Sequence, residues 1–121
     1  MMIIRFIDDR GQTHYGTERD DGRAELLSGD LAGGYVATGE TAKIEQLLAP
    51  VVPTNIVAIG INYRGHCKET GRDLPERPVI FMKPTTAVIG PGEPIRIPAC
   101  QIKGPEVDYD AELVVVIGKA A

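Results

Sequence analysis

The chain has 121 residues, the size of one domain and long enough to bury a real core. Hydrophobic residues make up 43% and charged residues 25%, which excludes a disordered or collagen-like chain. A formal net charge of −4 with no basic run leaves no electrostatic footprint for nucleic acid or for an anionic membrane. The longest apolar run, Leu113 to Ile117, is far short of a membrane span. Arg5 and Asp8-Asp9 follow Met1 to Ile4 at once, which is not the layout of a signal peptide. Cys67 and Cys100 lack CxxC spacing and read as free thiols of a reducing, cytoplasmic compartment. With Gly 14 and Pro 9, turns are frequent and long helices few, so the balance favours a β-rich fold.

In chain order, Ile3 to Ile7 is an apolar run stopped by Asp8-Asp9-Arg10-Gly11, which suits a hairpin turn. Thr13 to Thr17 carries β-formers on the return, and Arg19-Asp20-Asp21-Gly22 is a second turn signal. Glu25 to Leu31 is broken by Ser28-Gly29-Asp30, which predicts a turn or bulge, and Ala32-Gly33-Gly34 adds a flexible joint. In Thr41 to Leu48 the spacing of Ile44, Leu47 and Leu48 suggests a short amphipathic helix, ended by Pro50 and Pro53. The Pro-stiffened stretch Ala49 to Pro53 is the best linker in the chain. It predicts a small N-terminal β domain over 1–50 and a second domain over 51–121.

Beyond the linker, Ile56 to Ile59 reads as a buried-type strand ending at Gly60. Tyr63 to Thr70 can form about two helical turns closed by Gly71. Leu74 to Pro78 is a Pro-rich loop, Val79 to Met82 a strand ended by Lys83-Pro84, and Ile95-Arg96-Ile97 an alternating strand stopped by Pro98. In Asp108 to Gly118, period-two alternation puts Tyr109, Ala111, Leu113, Val115 and Ile117 on one apolar face, expected to be core. Asp108, Asp110 and Glu112 share the other face with Val114 and Val116. Neighbouring carboxylates repel unless a cation lies between them, and oxygen ligands alone suit Mg²⁺, Mn²⁺ or Ca²⁺ better than zinc. The competing reading is a solvated edge of a half-buried strand.

His66 and Glu69 are neighbours at i, i+3 on one helical face, the geometry of an imidazole oriented by a carboxylate to act as general base. A surface helix also carries such a pair by chance. His14 sits in a hairpin strand with no acidic neighbour in the sequence pattern and reads as structural or exposed. Other chemistries fall away. Gly60 and Gly65 have phosphate-loop spacing, but His66-Cys67 stands where Lys and Ser/Thr are required. Ser28 is the only serine and lies in a turn, not a nucleophile elbow. Cys67 and His66, being adjacent, do not face each other on a helix.

Ile56 to Glu69 resembles the opening of the fumarylacetoacetate hydrolase family's catalytic domain, which reads roughly IxCxGxNYxxHxxE. Arg77 to Pro84 is similar to its PxxFxKP segment, and Val107 to Lys119 to its VDYExELxVVIGK metal strand. The resemblance implies a β-rich α+β fold, in which the small N-terminal β domain precedes the start of a mixed β-roll catalytic domain. It implies a cytoplasmic, homodimeric enzyme that binds Mg²⁺, with Mn²⁺ or Ca²⁺ as alternatives, and hydrolyses a C–C bond in acylpyruvate-type 2-oxo acids. Oxaloacetate decarboxylation or hydroxymuconate-type isomerisation is the alternative within the family, and an inactive β module the alternative outside it. Asp110 and Glu112 then fall on metal positions, His66 and Glu69 on the catalytic pair of a lid helix, and Lys83 on a substrate-side position. Asp108 takes a supporting role, and Leu47-Leu48 becomes extended. Asp110 stands where many members have Glu, and reaches one methylene less. A third metal carboxylate and another lysine are expected downstream of Ala121, so the chain is expected to be an N-terminal part, inactive alone.

Overall fold

A computed structural model describes residues 2–99, 104 and 111–118 of the chain. Two compact units divide it, Met1–Pro50 with Gly90–Ala121, and Val51–Ile89.

In the first unit, β1 (Ile4–Asp8), β2 (Thr13–Glu18), β3 (Arg23–Asp30) and β4 (Gly34–Leu48) form a closed antiparallel barrel. The predicted β1–β2 hairpin forms, with Phe6 opposite His14 and Ile4 opposite Gly16. Phe6 and Ala24 are fully buried and make the small core. Gly16 is required there, because a Cβ on it would lie 2.7 Å from the Glu25 carbonyl oxygen and 3.1 Å from the Phe6 ring. The strands approach too closely for any side chain at that point.

Two expectations are corrected in this unit. Ser28-Gly29-Asp30 does not break β3, which runs through to Asp30. The reversal comes just after, where the Asp30 carboxylate accepts hydrogen bonds from the Ala32 and Gly33 amides at 2.9 and 2.6 Å. Thr41 to Leu48 is not helical by its own pattern but is the second half of β4, as the family resemblance implied. Its helix-like spacing has a β explanation. Asp8 pairs with Ile44 and Ile7 with Gln46, so the ladder slips one residue at Glu45. A bulge of this kind turns a two-residue repeat into a three-residue one.

A second irregularity lets β4 serve two neighbours. Glu25 pairs with Thr41 and Leu27 with Ala37, so Thr38-Gly39-Glu40 bulges out opposite Leu26. Gly39 takes a positive φ of 79°, and the Thr38 hydroxyl donates to the Leu26 carbonyl at 3.0 Å. The strand bends there. Its first half pairs β3, and its second half reaches β1.

Ile95 to Ile97, expected as a strand, has no strand pairing, and Ile95 and Ile97 are 73% and 60% exposed. Pro94 and Pro98 flank it and cannot donate to a ladder. The metal-strand expectation meets the same correction over its described part. Residues 111–118 adopt no strand, and the face expected to be core is open, with Leu113 at 83% and Ile117 at 80% exposure. Alternation alone does not make a strand, and no neighbouring strand among the described residues offers these segments a ladder. Asp108, Tyr109 and Asp110 lie outside the described residues.

In the second unit, β5 (Ile56–Gly60) pairs antiparallel with β6 (Val79–Lys83), and the predicted helix α1 (Arg64–Glu69) lies between them in sequence. Val57 opposes Met82 and Ile59 opposes Ile80, so these four form one wholly apolar face. It is open to solvent, with Ile80 at 66% and Met82 at 64% exposure. Apolar patches of this kind drive association. The 121-residue chain should therefore bind a hydrophobic dye and self-associate in sedimentation experiments. Ile80→Lys should reduce both signals, and unchanged dye binding would show that another surface is responsible.

Candidate active site

The best candidate site lies on α1. Three residues, Ile61, Asn62 and Tyr63, carry the chain from β5 into this helix. Its end is fixed locally: Thr70 donates from its amide and its hydroxyl to the His66 carbonyl at 3.0 and 2.8 Å. Gly71 then takes a positive φ of 65°, and the Arg72 amide reaches back to the Cys67 carbonyl at 2.9 Å. This glycine-closed ending satisfies carbonyls that would otherwise be left open.

Cys67 is the buried residue of the helix, and its thiol is free. His66 and Glu69 face outward. His66 Nδ1 lies 4.0 Å from Glu69 Oε2, with the two side chains 56% and 79% exposed. That separation is an ion-pair distance and not a hydrogen bond. Solvent screening makes such an exposed pair weak in the absence of a ligand. The imidazole is accessible, carries a carboxylate neighbour, and leaves Nε2 open for proton transfer. Lys83, the last residue of β6, is exposed in the same unit.

Glu112 is exposed and outside regular structure, while Asp110 lies outside the described residues. No group of three or more His, Cys, Asp or Glu side chains that could hold a metal is found among the described residues. Glu112 and Asp110 nevertheless offer hard carboxylate oxygens two residues apart, a donor set that fits a hard divalent cation.

Sequence reasoning missed one polar constellation. Asp8 is buried at 6% exposure, and its Oδ2 lies 2.9 Å from His14 Nε2. Its Oδ1 accepts from the Arg10 and Gln12 amides at 2.9 and 2.8 Å. The ionised carboxylate only accepts, so Nε2 carries the shared proton. The signal was the β1–β2 register, because a hairpin that pairs Phe6 with His14 also brings Asp8 close to the imidazole. Beside this pair lies a polar groove of about 320 Å³ lined in part by Arg10, Arg23, Glu40 and Lys43. Within it Arg23 donates to Thr41 at 2.9 Å. Asp8, His14 and the turn amides form a structural knot.

Residues 55–121 match the family described as Fumarylacetoacetate (FAA) hydrolase C-terminal. Over 118 residues, 98% of this chain, the sequence is 41% identical to a protein of Archaeoglobus fulgidus, of which it covers 42%. It is 47% identical over 74 residues, 60% of the chain, to a mitochondrial oxaloacetate tautomerase of Xenopus laevis, covering 22% of that protein. A crystal structure of 5-carboxymethyl-2-hydroxymuconate delta-isomerase from Mycobacterium smegmatis superposes with a TM-score of 0.66 at 32% identity. The match covers 83% of this chain and 39% of that one.

The class is thus a strand-rich α+β protein with the fold of that crystal structure over its matched part. The chain belongs to the fumarylacetoacetate hydrolase family, and it spans less than half the length of these relatives. Among the described residues no helix is long and apolar enough to cross a membrane.

The Asp8 knot yields a pH prediction. The Gln12 amide above all, then His14 and the Arg10 amide, hold its carboxyl below the usual value of 3.8, against the opposing effect of burial. A lowered folded value means that the carboxylate's contribution to stability is complete above the unfolded value. It is lost as pH falls through the folded one. Asp8→Asn should lower the thermal midpoint at pH 7, and its deficit should shrink as pH is taken below 3.8. Equal deficits at pH 7 and at acid pH would place the effect in shape, not charge.

Proposed function

We propose that the protein carrying this chain is an enzyme acting on 2-oxo acids, with residues 51–121 as the first part of its catalytic domain. Its central step is proton transfer at the carbon beside the keto group. The observation that carries this reading is the accessible His66–Glu69 pair, 4.0 Å apart on a helix inside the family-matched segment. The relatives named as an oxaloacetate tautomerase and a hydroxymuconate isomerase support it, because both names describe movement of a proton on a 2-oxo acid or its enol. Both names favour proton transfer over C–C hydrolysis.

In this mechanism the His66 imidazole takes a proton from the carbon beside the keto group. It returns that proton to another position of the same substrate, leaving no net change in composition. Glu69 stabilises the imidazolium that forms between the two transfers. Lys83 offers an ammonium group to a substrate carboxylate. Asp110 and Glu112 would hold the divalent cation, Mg²⁺ by preference, whose chemistry is Lewis-acid polarisation of the keto oxygen. Two carboxylates are a partial ligand set, and further oxygen donors are needed to complete it.

The second reading is hydrolytic cleavage of an acylpyruvate, favoured by the description of the matched family as a hydrolase. Here His66 takes a proton from water instead. The hydroxide adds to the distal carbonyl, the C–C bond breaks, and its electron pair leaves as an enolate that is then protonated.

These roles are separable. His66→Ala should lower enol–keto interconversion of oxaloacetate by roughly 10²–10⁴-fold in the protein that carries this chain. Glu69→Gln should lower it less. A parallel assay of pyruvate release from an acylpyruvate reports hydrolysis, and wild-type turnover there with no tautomerisation would restore the hydrolase reading. Retention of both activities in His66→Ala would remove the residue from the mechanism. Glu112→Gln should weaken Mg²⁺ binding in calorimetry, whereas His66→Ala should leave it nearly unchanged. An unaltered Mg²⁺ affinity in Glu112→Gln would exclude that carboxylate as a ligand.

A further inference from the structure

We infer that Ile61 is a positioning residue: its left-handed backbone, tied to the buried thiol of Cys67, aims α1 and therefore His66. This inference rests on the acid–base role proposed above for His66.

Ile61 is the one non-glycine residue with a positive φ among the described residues, at 53°. For a β-branched side chain this is a strained conformation, far more costly than for glycine. Strain of this kind persists only where the surroundings over-determine it, and it concentrates at functional sites. The position in the chain gives it leverage. Ile61 directly follows the last residue of β5, and only Asn62 and Tyr63 separate it from the first residue of α1. A rotation at residue 61 therefore swings the whole helix.

The helix cannot hold its own direction. It has six residues, too few to be stable by backbone hydrogen bonds alone. What fixes it is Cys67. This residue is 3% exposed, while His66 and Glu69 on the same helix stand in solvent. Its Sγ lies 3.9 Å from the Ile61 carbonyl oxygen, within reach of a weak S–H donor. Its amide donates to Tyr63 at 3.1 Å, and its carbonyl accepts from Arg72 at 2.9 Å. The strained turn and the buried thiol thus close one small loop, with the imidazole on the next residue pointing outward. Sequence adjacency ruled out a Cys67–His66 nucleophile pair, and that same adjacency is what this arrangement needs. One residue is buried so that its neighbour is presented.

The test uses Ile61→Gly, which keeps positive φ free of strain, and Ile61→Pro, which fixes φ near −65° and forbids it. In the protein that carries this chain, Ile61→Pro should lower kcat for oxaloacetate interconversion at least tenfold with KM within about threefold. Ile61→Gly should keep kcat within about threefold and raise the thermal midpoint. In the 121-residue chain, amide exchange at Cys67, Thr70 and Arg72 should quicken at least tenfold in Ile61→Pro and stay near wild type in Ile61→Gly. Wild-type kcat in Ile61→Pro would overturn the inference, as would a kcat loss or a lowered midpoint in Ile61→Gly. The last two outcomes decide the matter even if Ile61→Pro does not fold. His66→Ala serves as the separate control. If it retains activity, the acid–base reading fails; if it is inactive while Ile61→Pro is normal, only the positioning role fails.

Discussion

Closure of the barrel depends on β4 holding two partners along one strand. A four-stranded sheet leaves two free edges unless a strand bends far enough to reach back to the first, and unpaired edges invite association. The bulge at Thr38-Gly39-Glu40 supplies the bend, with Gly39 at a positive φ that a side chain would resist. Beyond it, Lys43 still faces Arg23 on β3, while Leu47 already faces Phe6 on β1. The interior left by so tight a closure is small. It admits the Phe6 ring only because β2 has no side chain at Gly16. Asp8 at the rim is then the one described polar residue classed as buried, and the turn it organises is what holds β1 and β2 in register.

The second unit is built on a different principle. Its two-stranded ladder is regular over five residue pairs, yet the face of Val57, Ile59, Ile80 and Met82 stays largely open. Two-stranded ribbons are marginal by themselves and need a further layer against an apolar face. The order seen in this unit is therefore local. It comes from backbone pairing, the Gly71 helix ending and the burial of Cys67, all within Val51–Ile89. Local order of this sort suits a helix that presents a reactive side chain, because the contacts that aim the helix lie within a dozen residues of it.

Much of this was legible in the sequence where local chemistry decides the outcome. Asp and Gly clusters marked the hairpin turns, Gly71 marked the helix end, and Val79 to Met82 formed the predicted strand, which runs one residue further to Lys83. The failures have a common cause in pairing, which a single strand's pattern does not contain. At Glu45 a bulge converted strand spacing into helix spacing, and only the partner β1 reveals it. Ile95 to Ile97 and residues 111–118 alternate well but lack a ladder among the described residues. Asp8 and His14, six apart in sequence, meet across a turn whose register had to be known first. His66 and Glu69 were readable because their contact lies within one helix, and the three motifs that carried the family resemblance required no pairing information at all.

The candidate metal position joins these two themes. Asp110 and Glu112 point the same way only while the backbone between them is extended, since successive strand residues alternate faces. Among the described residues, 111–118 form no strand ladder. Two carboxylates on one side also repel each other unless a cation lies between them. A ladder over these residues would bring the two carboxylates to one side before any cation arrived, and would raise affinity by removing that ordering cost. Linkage makes the effect mutual: a cation held by both carboxylates stabilises the extended backbone by the same free energy. Strand pairing and ion binding are then two readings of one equilibrium. In this way Leu113 to Ile117, exposed to solvent, would influence a charge site formed by the residues that alternate with them.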